Sequence, residues 1–334
     1  MKIAIHHSEG SFSDGWIAYC QKNCIEYKLV DAYSSDIIEQ VNGCEAFMWH
    51  HSHLDYRAAL FAKQLLYSLE TMGVRCYPDF HTTWHFDDKV GQKYLLEAIG
   101  APLVPSYVFY TKKEAMKWID NTDFPKVFKL RGGAGASNVK LAHNVKEAKR
   151  LVNKAFGKGF PQFDRIGYLK ERYNRWREGK DSFVGVIKGI GRLFLTTDFS
   201  KMHPREKGYA YFQDFIPNNN YDTRVVVIGG DKAMGERRYC RKGDFRASGS
   251  GVFEYGDIDT NMLKIAFEIA QRLKLQTVAF DFIYKDGQPL IVEISYGFGT
   301  HGISHSGGYY TLDYQWHAEE NLDFCGWMVS DLLR

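Results

Sequence analysis

The sequence lacks the cysteine patterns that mark disulfide frameworks and zinc sites. Its 334 residues include six cysteines, and no two of them form a Cys-x-x-Cys pair. Scattered in this way, they indicate neither a stapled secreted domain nor a structural zinc site. The N-terminus lacks the apolar core of a signal peptide, and no run of about 18 apolar residues long enough for a spanning helix occurs. We therefore predict a cytoplasmic protein with reduced thiols and no membrane span.

Several signatures of other enzyme classes are also missing. The first 87 residues contain no Gly-x-Gly-x-x-Gly motif, and the chain has neither a P-loop nor a Gly-x-Ser-x-Gly elbow. The formal net charge is only +3, which gives no argument for a nucleic-acid partner. Hydrophobic residues make up 45% of the chain and charged residues 25%, as is ordinary for a soluble globular protein.

The first 87 residues alternate short apolar strands with amphipathic helices. Strands are predicted at 3–5, 26–30, 46–49 and 74–78, and helices at 13–23 and 55–72. Strands that alternate with helices imply a parallel sheet. We therefore predict an N-terminal α/β domain.

Two acidic residues stand within consecutive apolar strands near the C-terminus. Asp281 lies in Ala279–Tyr284 and Glu293 in Leu290–Ser295, with the turn signal Asp286–Gly287 between them. The pattern predicts a hairpin that brings both carboxylates to one face. Ionised acids inside apolar strands are costly unless they are paired or metal-bound. With few cations expected nearby, the pair indicates a Mg²⁺ site, and the alternative is a strand edge whose acids face solvent.

A glycine-rich segment lies between two strand-like stretches. Lys129 belongs to the first stretch, Gly132 to Ser137 follow, and Val139–Ala142 form the second. Small residues let backbone N–H groups approach phosphate oxygens, and the lysine adds positive charge. The segment predicts a phosphate-covering loop, although a flexible turn has a similar composition.

The order of the motifs is the most specific signal in the chain. It runs through Asp88–Lys89, Gly100–Pro102, the glycine segment, 211–217, 222–230, Gly243–Ser248 and the acidic hairpin. This series resembles the ATP-grasp ligases, and in particular the branch of bacterial ligases that add glutamate to a ribosomal protein. The resemblance covers most of the chain.

The resemblance implies an α/β plus α+β fold. An N-terminal parallel-sheet α/β domain over residues 1–87 would be followed by a two-lobed ATP-grasp fold. Residues 88–211 would form the linking helix and strand and a small lobe that carries the glycine loop and a basic insertion. Residues 212–334 would form the large catalytic lobe.

The resemblance also implies roles for individual residues. Asp281, Glu293 and Ser295 would hold one or two Mg²⁺ ions, with Mn²⁺ as a substitute, and Ser295 stands where the family has Asn. Two lysines, the glycine loop, the hinge strand and one acid would bind ATP: Lys89, Lys129, Gly132, Gly133, Gly135, Ala136, Ser137, Gln213, Asp214, Phe215, Ile216 and Asp222. Arg224, Arg237 and Arg246 are the candidate catalytic residues, and Arg246 is expected to stabilise an acyl phosphate.

The implied reaction joins a carboxylate to an amine at the expense of ATP, with release of ADP and phosphate. Its partners would be small-molecule, peptide or glycan substrates that carry the two groups. Two other classes stay open, because a nucleotide site does not name the acceptor. They are kinase-like phosphate transfer on the same scaffold and a non-catalytic nucleotide-binding module.

Three further stretches keep more than one interpretation each. Residues 165–192 hold eight Lys or Arg against three Asp or Glu, which indicates either a solvated helix face or a site for an anionic substrate. The histidines of Trp49–His53 and His301–His305 are either ordinary loop residues or substrate contacts, and metal binding is a third interpretation. The acid, the amine and the oligomeric state do not follow from the sequence.

Overall fold

The computed structural model describes residues 1–132, 138–161, 169, 172–173, 176–177, 182–194, 205–241, 243–249 and 251–334, without the side chains of 189, 192–194 and 301. Contacts within the chain divide it into two compact units. The first unit comprises Met1–Phe86, Tyr94–Leu103 and Asn218–Arg334, and the second comprises Asp87–Lys93 and Val104–Pro217.

A four-stranded parallel sheet with the order β2-β1-β3-β4 begins the first unit. Its elements are β1 Lys2–His6, α1 Phe12–Lys22, β2 Glu26–Val30, α2 Ile37–Val41, β3 Ala46–Trp49, α3 Tyr56–Thr71, β4 Arg75–Tyr77 and α4 Phe80–Thr83. Side chains of Ser11 and Asp55 accept hydrogen bonds from the first turns of α1 and α3 and so define where these helices begin. The predicted parallel α/β domain is confirmed, with element boundaries shifted by one or a few residues.

A seven-stranded antiparallel sheet forms the rest of the first unit, with the order β13-β12-β9-β10-β14-β15 and with β11 paired to β10. Its elements are β9 Tyr221–Ile228, β10 Lys232–Tyr239, β11 Phe253–Glu254, α9 Thr260–Arg272, β12 Thr277–Lys285, β13 Gln288–Ser295, α10 Thr300–Ile303, β14 Gly308–Tyr310, β15 Trp316–Ala318 and α11 Phe324–Leu333. The β12–β13 hairpin is the one predicted, because Asp286 and Gly287 take the positive φ values, 50° and 74°, that a tight hairpin turn requires.

Both faces of this large sheet are buried. One face and the N-terminal sheet share a core whose members include Ile3, Trp16, Tyr77, Val226, Met234 and Met328. The other face packs on α9 through residues that include Val225, Val227, Phe267, Val278 and Phe280. Residues of Met1–Phe86 and Asn218–Arg334 therefore share one core, and the three-domain division stays a prediction.

The second unit contains a four-stranded antiparallel sheet with the order β5-β8-β6-β7. The elements of residues 87–217 are α5 Lys89–Ala98, β5 Ser106–Phe109, α6 Lys112–Ile119, β6 Lys126–Lys129, β7 Val139–Ala142, α7 Val145–Ala155, α8 Phe183–Phe194 and β8 Ala210–Asp214. Phe128 and Phe212 pack against α6 and α7 on one face of this sheet. The opposite face carries Lys129 and Gln213, because side chains alternate along a strand.

Parts of the expected small lobe lie outside the described residues. Gly133, Gly135, Ala136 and Ser137 of the glycine loop are among them, as are 12 of the 28 residues of the basic stretch 165–192. Among the residues that are described, no helix has the length and apolar character needed to cross a membrane.

Met328 tests the shared core of the first unit. It is 0% exposed, and Trp16 donates its indole N–H to the Met328 sulfur at 3.4 Å. We expect Met328→Ala to reduce the free energy of unfolding by about 2–5 kcal/mol, because it leaves a cavity in a packed core. Met72 is 46% exposed, so Met72→Ala is the control and should change that free energy by less than about 0.5 kcal/mol. Urea unfolding measures both, and equal effects would contradict the shared core.

Candidate functional site

Four charged residues form a row across the large sheet of the first unit. Glu293 of β13 lies opposite Asp281 of β12, Asp281 lies opposite Arg224 of β9, and Arg224 lies opposite Glu236 of β10. Residues directly opposite each other in an antiparallel sheet project from the same face. The row is therefore a single strip of side chains, and we call these four residues the charged row.

Asp281 is held by two arginines. Arg224 donates from Nε to Oδ1 at 2.8 Å and from Nη2 to Oδ2 at 3.0 Å, and Arg238 Nη2 lies 2.8 Å from Oδ2. Burial alone would raise the pKa of the Asp281 carboxyl, but the two guanidinium charges outweigh burial and lower it. The expectation of few cations near this acid is wrong.

Arg238 is a residue of this site that the sequence analysis missed. It also makes a bidentate pair with Asp222, with Nε to Oδ1 at 2.6 Å and Nη2 to Oδ2 at 2.7 Å. Asp222 and Arg238 are opposite each other on β9 and β10. The only signal in the sequence is the alternation of polar residues at 222, 224, 236 and 238, and it becomes readable once the register of the two strands is known.

The other candidate arginines have different surroundings. Arg237 alternates with its two neighbours and projects from the opposite face, where it bonds Glu254 Oε1 at 2.8 Å and the carbonyl of Asp257 at 2.7 Å. The structure therefore does not bring Arg237 together with the charged row. Arg246 lies in the loop after β10, and its Nε donates to Asp244 at 2.9 Å.

The residues expected to bind metal are adjacent in the sheet. Asp281 and Glu293 are cross-strand partners, and Ser295 follows on the same face, opposite Ala279. Asp281 Oδ1 accepts one hydrogen bond and keeps a further lone pair, while the Ser295 hydroxyl donates to the Gly297 carbonyl at 2.7 Å. Within the described part of the chain, no group of three or more His, Cys, Asp or Glu is arranged to hold an ion. These residues therefore fit a Mg²⁺ ion that takes one or two carboxylates from the protein and further ligands from phosphates and water.

The second unit carries the expected nucleotide residues. The backbone N–H of Lys89, at the start of α5, donates to the Arg131 carbonyl at 3.0 Å, and this brings Lys89 to the end of the strand that contains Lys129. Gly132 is required at its position, because a Cβ there would come within 2.9 Å of an Asp87 carboxylate oxygen. Lys89 and Lys129 are both buried, so the unit has two lysines at one edge of its sheet.

The hinge strand β8 is the central strand between β5 and β6. The Gln213 side chain donates to Ser106 Oγ at 3.1 Å, and the Asp214 carboxylate is paired with Lys126 Nζ at 2.6 Å. Lys126 was also missed from the sequence. Its side chain, like that of Asp214, projects from the face that carries Phe128 and Phe212, opposite to Lys129. Phe215 and Ile216 follow β8 and are half-buried.

The histidines after β3 are neutral and packed among aromatic rings. Burial lowers the pKa of His50 to about 4 and that of His51 to about 3. His50 Nδ1 accepts the Phe12 N–H at 3.1 Å, and the His50 ring stacks on the Phe12 ring at 3.8 Å. His51 contacts the rings of Phe86 and Tyr296. The second histidine segment includes His301, whose side chain lies outside the described residues.

Comparison with known proteins finds a family that part of the chain resembles. The family model described as RimK-like ATP-grasp domain matches residues 202–311, which include the whole charged row. This segment is similar to RimK-like ATP-grasp domains. A protein named "Probable alpha-L-glutamate ligase", from Enterobacter sp. (strain 638), is 30% identical over 134 residues, which are 40% of this chain and 40% of that protein.

Solved structures share the fold over nearly the whole chain. The RimK domain ATP-grasp protein of Sphaerobacter thermophilus DSM 20745 superimposes with a TM-score of 0.62 at 15% identity and covers 100% of both chains. The D-alanine–D-alanine ligase of Bacillus anthracis, complexed with ATP, has a TM-score of 0.56 at 14% identity over 89% of this chain and 86% of that one. The expected ATP-grasp fold is confirmed, and at these identities the likeness concerns the fold alone.

Adjacent arginines on opposite faces of β10 provide a matched test of the site. We expect Arg238→Met to lower the free energy of unfolding by about 3–5 kcal/mol, because two buried carboxylates lose a partner. Arg237→Met removes a half-exposed ion pair and should cost less than about 1 kcal/mol. Chemical unfolding at neutral pH measures both variants, and an Arg237→Met effect as large as that of Arg238→Met would contradict the assigned faces.

Proposed function

We propose that this protein is an ATP-dependent ligase that joins a carboxylate to an amine through an acyl phosphate and releases ADP and phosphate. The observation that carries the proposal is the row of Glu293, Asp281 and Arg224 on one sheet face within the segment that matches the ATP-grasp domain. Acidic groups that can hold a cation stand there beside a guanidinium that can hold a phosphoryl group.

Nucleotide binding would use the residues that the resemblance assigns to ATP. Lys89 and Lys129 would contact phosphates, and Gly132 with Gly133, Gly135, Ala136 and Ser137 would cover them with backbone N–H groups. Main-chain groups of Gln213, Asp214, Phe215 and Ile216 would pair with adenine, and Asp222 would orient this site through Arg238. Asp281, Glu293 and Ser295 would hold Mg²⁺, which neutralises phosphate charge when bound.

In the first step, a carboxylate oxygen of the acid substrate attacks the γ-phosphorus, and the bond to the ADP oxygen breaks. In the second step, an amine attacks the acyl carbon, the single bond from that carbon to the bridging phosphate oxygen breaks, and phosphate leaves with that electron pair and takes up the proton that the nitrogen loses. Arg224 and Arg246 would stabilise negative charge that develops during transfer. Arg237 has no part in this proposal, because it projects from the other face of β10.

The substrates belong to the proposal as well. The relative from Enterobacter is named as a glutamate ligase, which makes L-glutamate a first candidate for either substrate. Since the chain spans about 40% of that relative's length, peptide, glycan and other small-molecule acids and amines are equal candidates, as is an anionic substrate at residues 165–192. A cytoplasmic location stays a prediction.

Trapping the intermediate tests the reaction. Amino acids, peptides and sugar acids would be screened with ATP, Mg²⁺ and hydroxylamine, and we expect one class to yield ADP, phosphate and a hydroxamate. With that acid, Arg246→Ala should lower turnover by about 100-fold with little change in ATP affinity, because it acts on charge that develops in the transition state. Lys264→Ala, at an exposed position of α9, is the control. Release of AMP and pyrophosphate, or a phosphorylated product that persists without hydroxylamine or an amine, would contradict the ligase proposal.

Metal dependence tests Glu293 independently of turnover. Glu293→Gln keeps the side-chain shape and removes one charge, so Mg²⁺-dependent tightening of ATP binding should fall by more than about tenfold, or about 1.4 kcal/mol. Calorimetric titration of ATP with and without Mg²⁺ measures this change. Ser295→Asn should bind metal equally well or more tightly, and Glu268→Gln, which is exposed on α9, should behave as wild type. Unchanged Mg²⁺ dependence in Glu293→Gln would remove Glu293 from the metal site.

A further inference from the structure

The last member of the charged row is a buried carboxylate. Glu236 is 3% exposed, and within the described part of the chain its Oε2 accepts no hydrogen bond. A buried carboxylate oxygen without a donor is costly.

The neighbouring arginines do not satisfy Glu236. Arg224 and Arg238 act on it electrostatically, as do Asp222 and Asp281. Arg224 directs Nε and Nη2 to Asp281, and Arg238 directs Nε and Nη2 to Asp222 and Asp281. Within this group of five, three carboxylates face two guanidiniums, so one negative charge remains without a counterpart.

A single helical turn covers Glu236. A Cβ at Gly302, in α10, would overlap with Glu236 Oε2, so only glycine lets the turn lie against this carboxylate. The turn has four residues, and its N-cap residue Gly299 offers no side-chain hydrogen bond. A helix this short, without a capping side chain, is only weakly stable by itself. It follows β13 directly in the chain, immediately after Ser295.

The missing counterpart has the character of an ammonium group rather than a metal ion. A divalent ion held by protein alone needs several oxygen ligands, and among the described residues no three His, Cys, Asp or Glu form such a group. An alkylammonium needs one charge partner and a few hydrogen-bond acceptors. A single buried carboxylate with an unused oxygen meets the main requirement.

We propose that Glu236 binds the amino group of the amine substrate and takes up the proton that this group releases on ligation. The inference rests on the proposed function. In the charged row Glu236 is one strand away from Arg224, roughly 4.8 Å, and two strands from Asp281. An amino group at Glu236 would therefore stand beside Arg224, one of the two arginines proposed to stabilise the charge that develops during transfer, and away from the metal carboxylates.

The chemical step balances with the groups present. A proton passes from the substrate ammonium to the Glu236 carboxylate, and the nitrogen lone pair then forms the bond to the acyl carbon. The bond from that carbon to the phosphate oxygen breaks, and phosphate leaves with the electron pair and takes up the second proton that the nitrogen loses. The groups that face Glu236 are Arg224, Arg238, Asp222, Asp281 and Tyr255. Burial raises the pKa of Glu236 despite the two arginines, as suits a residue that accepts a proton.

Comparing two nucleophiles distinguishes a proton-accepting role of Glu236 from a purely structural role. An aliphatic amine is protonated at neutral pH and needs Glu236, whereas hydroxylamine is largely unprotonated and small enough to react without it. In Glu236→Gln we expect ligation of the amine substrate to fall by about 100-fold, while hydroxamate formation with the same acid changes less than about threefold. Raising the pH should restore amine ligation in the variant more steeply than in wild type, because free amine then replaces the base.

Two further variants complete the test. Gly302→Ala should reproduce the selective loss of amine ligation, because its methyl group displaces the carboxylate, and it acts from a different element. Glu268→Gln, the same exchange at an exposed position on α9, should leave both nucleophiles unaffected. Equal losses with amine and hydroxylamine in Glu236→Gln, or full amine ligation in that variant, would overturn the inference. Absence of any hydroxamate with wild-type protein would instead contradict the proposed ligase activity.

Discussion

The buried pairing of Asp281 with Arg224 and Arg238 is the interaction on which the active face of the first unit depends. Taking these charges out of water costs several kcal/mol per ion, and only hydrogen bonds of good geometry compensate it. The charges come together because three strands keep a single register, in which β12, β9 and β10 place them opposite or diagonal to one another. A slip of one residue would turn every charge of one strand to the other face, against α9.

The same strand register also places the charged row next to buried apolar residues of the core. Two residues along the strands from the charged row, and on the same face, three apolar residues lie opposite one another: Ala279, Val226 and Met234. They belong to the core shared with the N-terminal sheet. Packing of these three apolar side chains thus holds the charged row in position. Residues that hold substrate or metal are positioned most precisely when rigid strands carry them. Each of the four residues of the charged row lies on a different strand of one sheet.

The charge balance of the face is uneven along its length. Asp281 and Asp222 share two arginines, whereas Glu293 and Glu236 stand at the two ends of the row. Under the two proposals above, Glu293 at one end of the row would help to hold a metal ion, and Glu236 at the other end would bind a substrate ammonium. The second unit instead carries positive charge, because two buried lysines lie at the start of α5 and the end of β6.

The sequence determined the elements whose signals are local. The parallel strands of the first 87 residues and the β12–β13 hairpin follow from alternation, length and the Asp-Gly turn, and all of these act over a few residues. The order of motifs was sufficient to indicate the ATP-grasp fold. Tertiary structure alone decided which charges meet. Arg224 and Asp281 are 57 positions apart, and the choice of Arg238 over Arg237 depends on which face of β10 turns toward β12. That choice is set by strand register and by the burial of one face, which are properties of the assembled sheet and not of any segment.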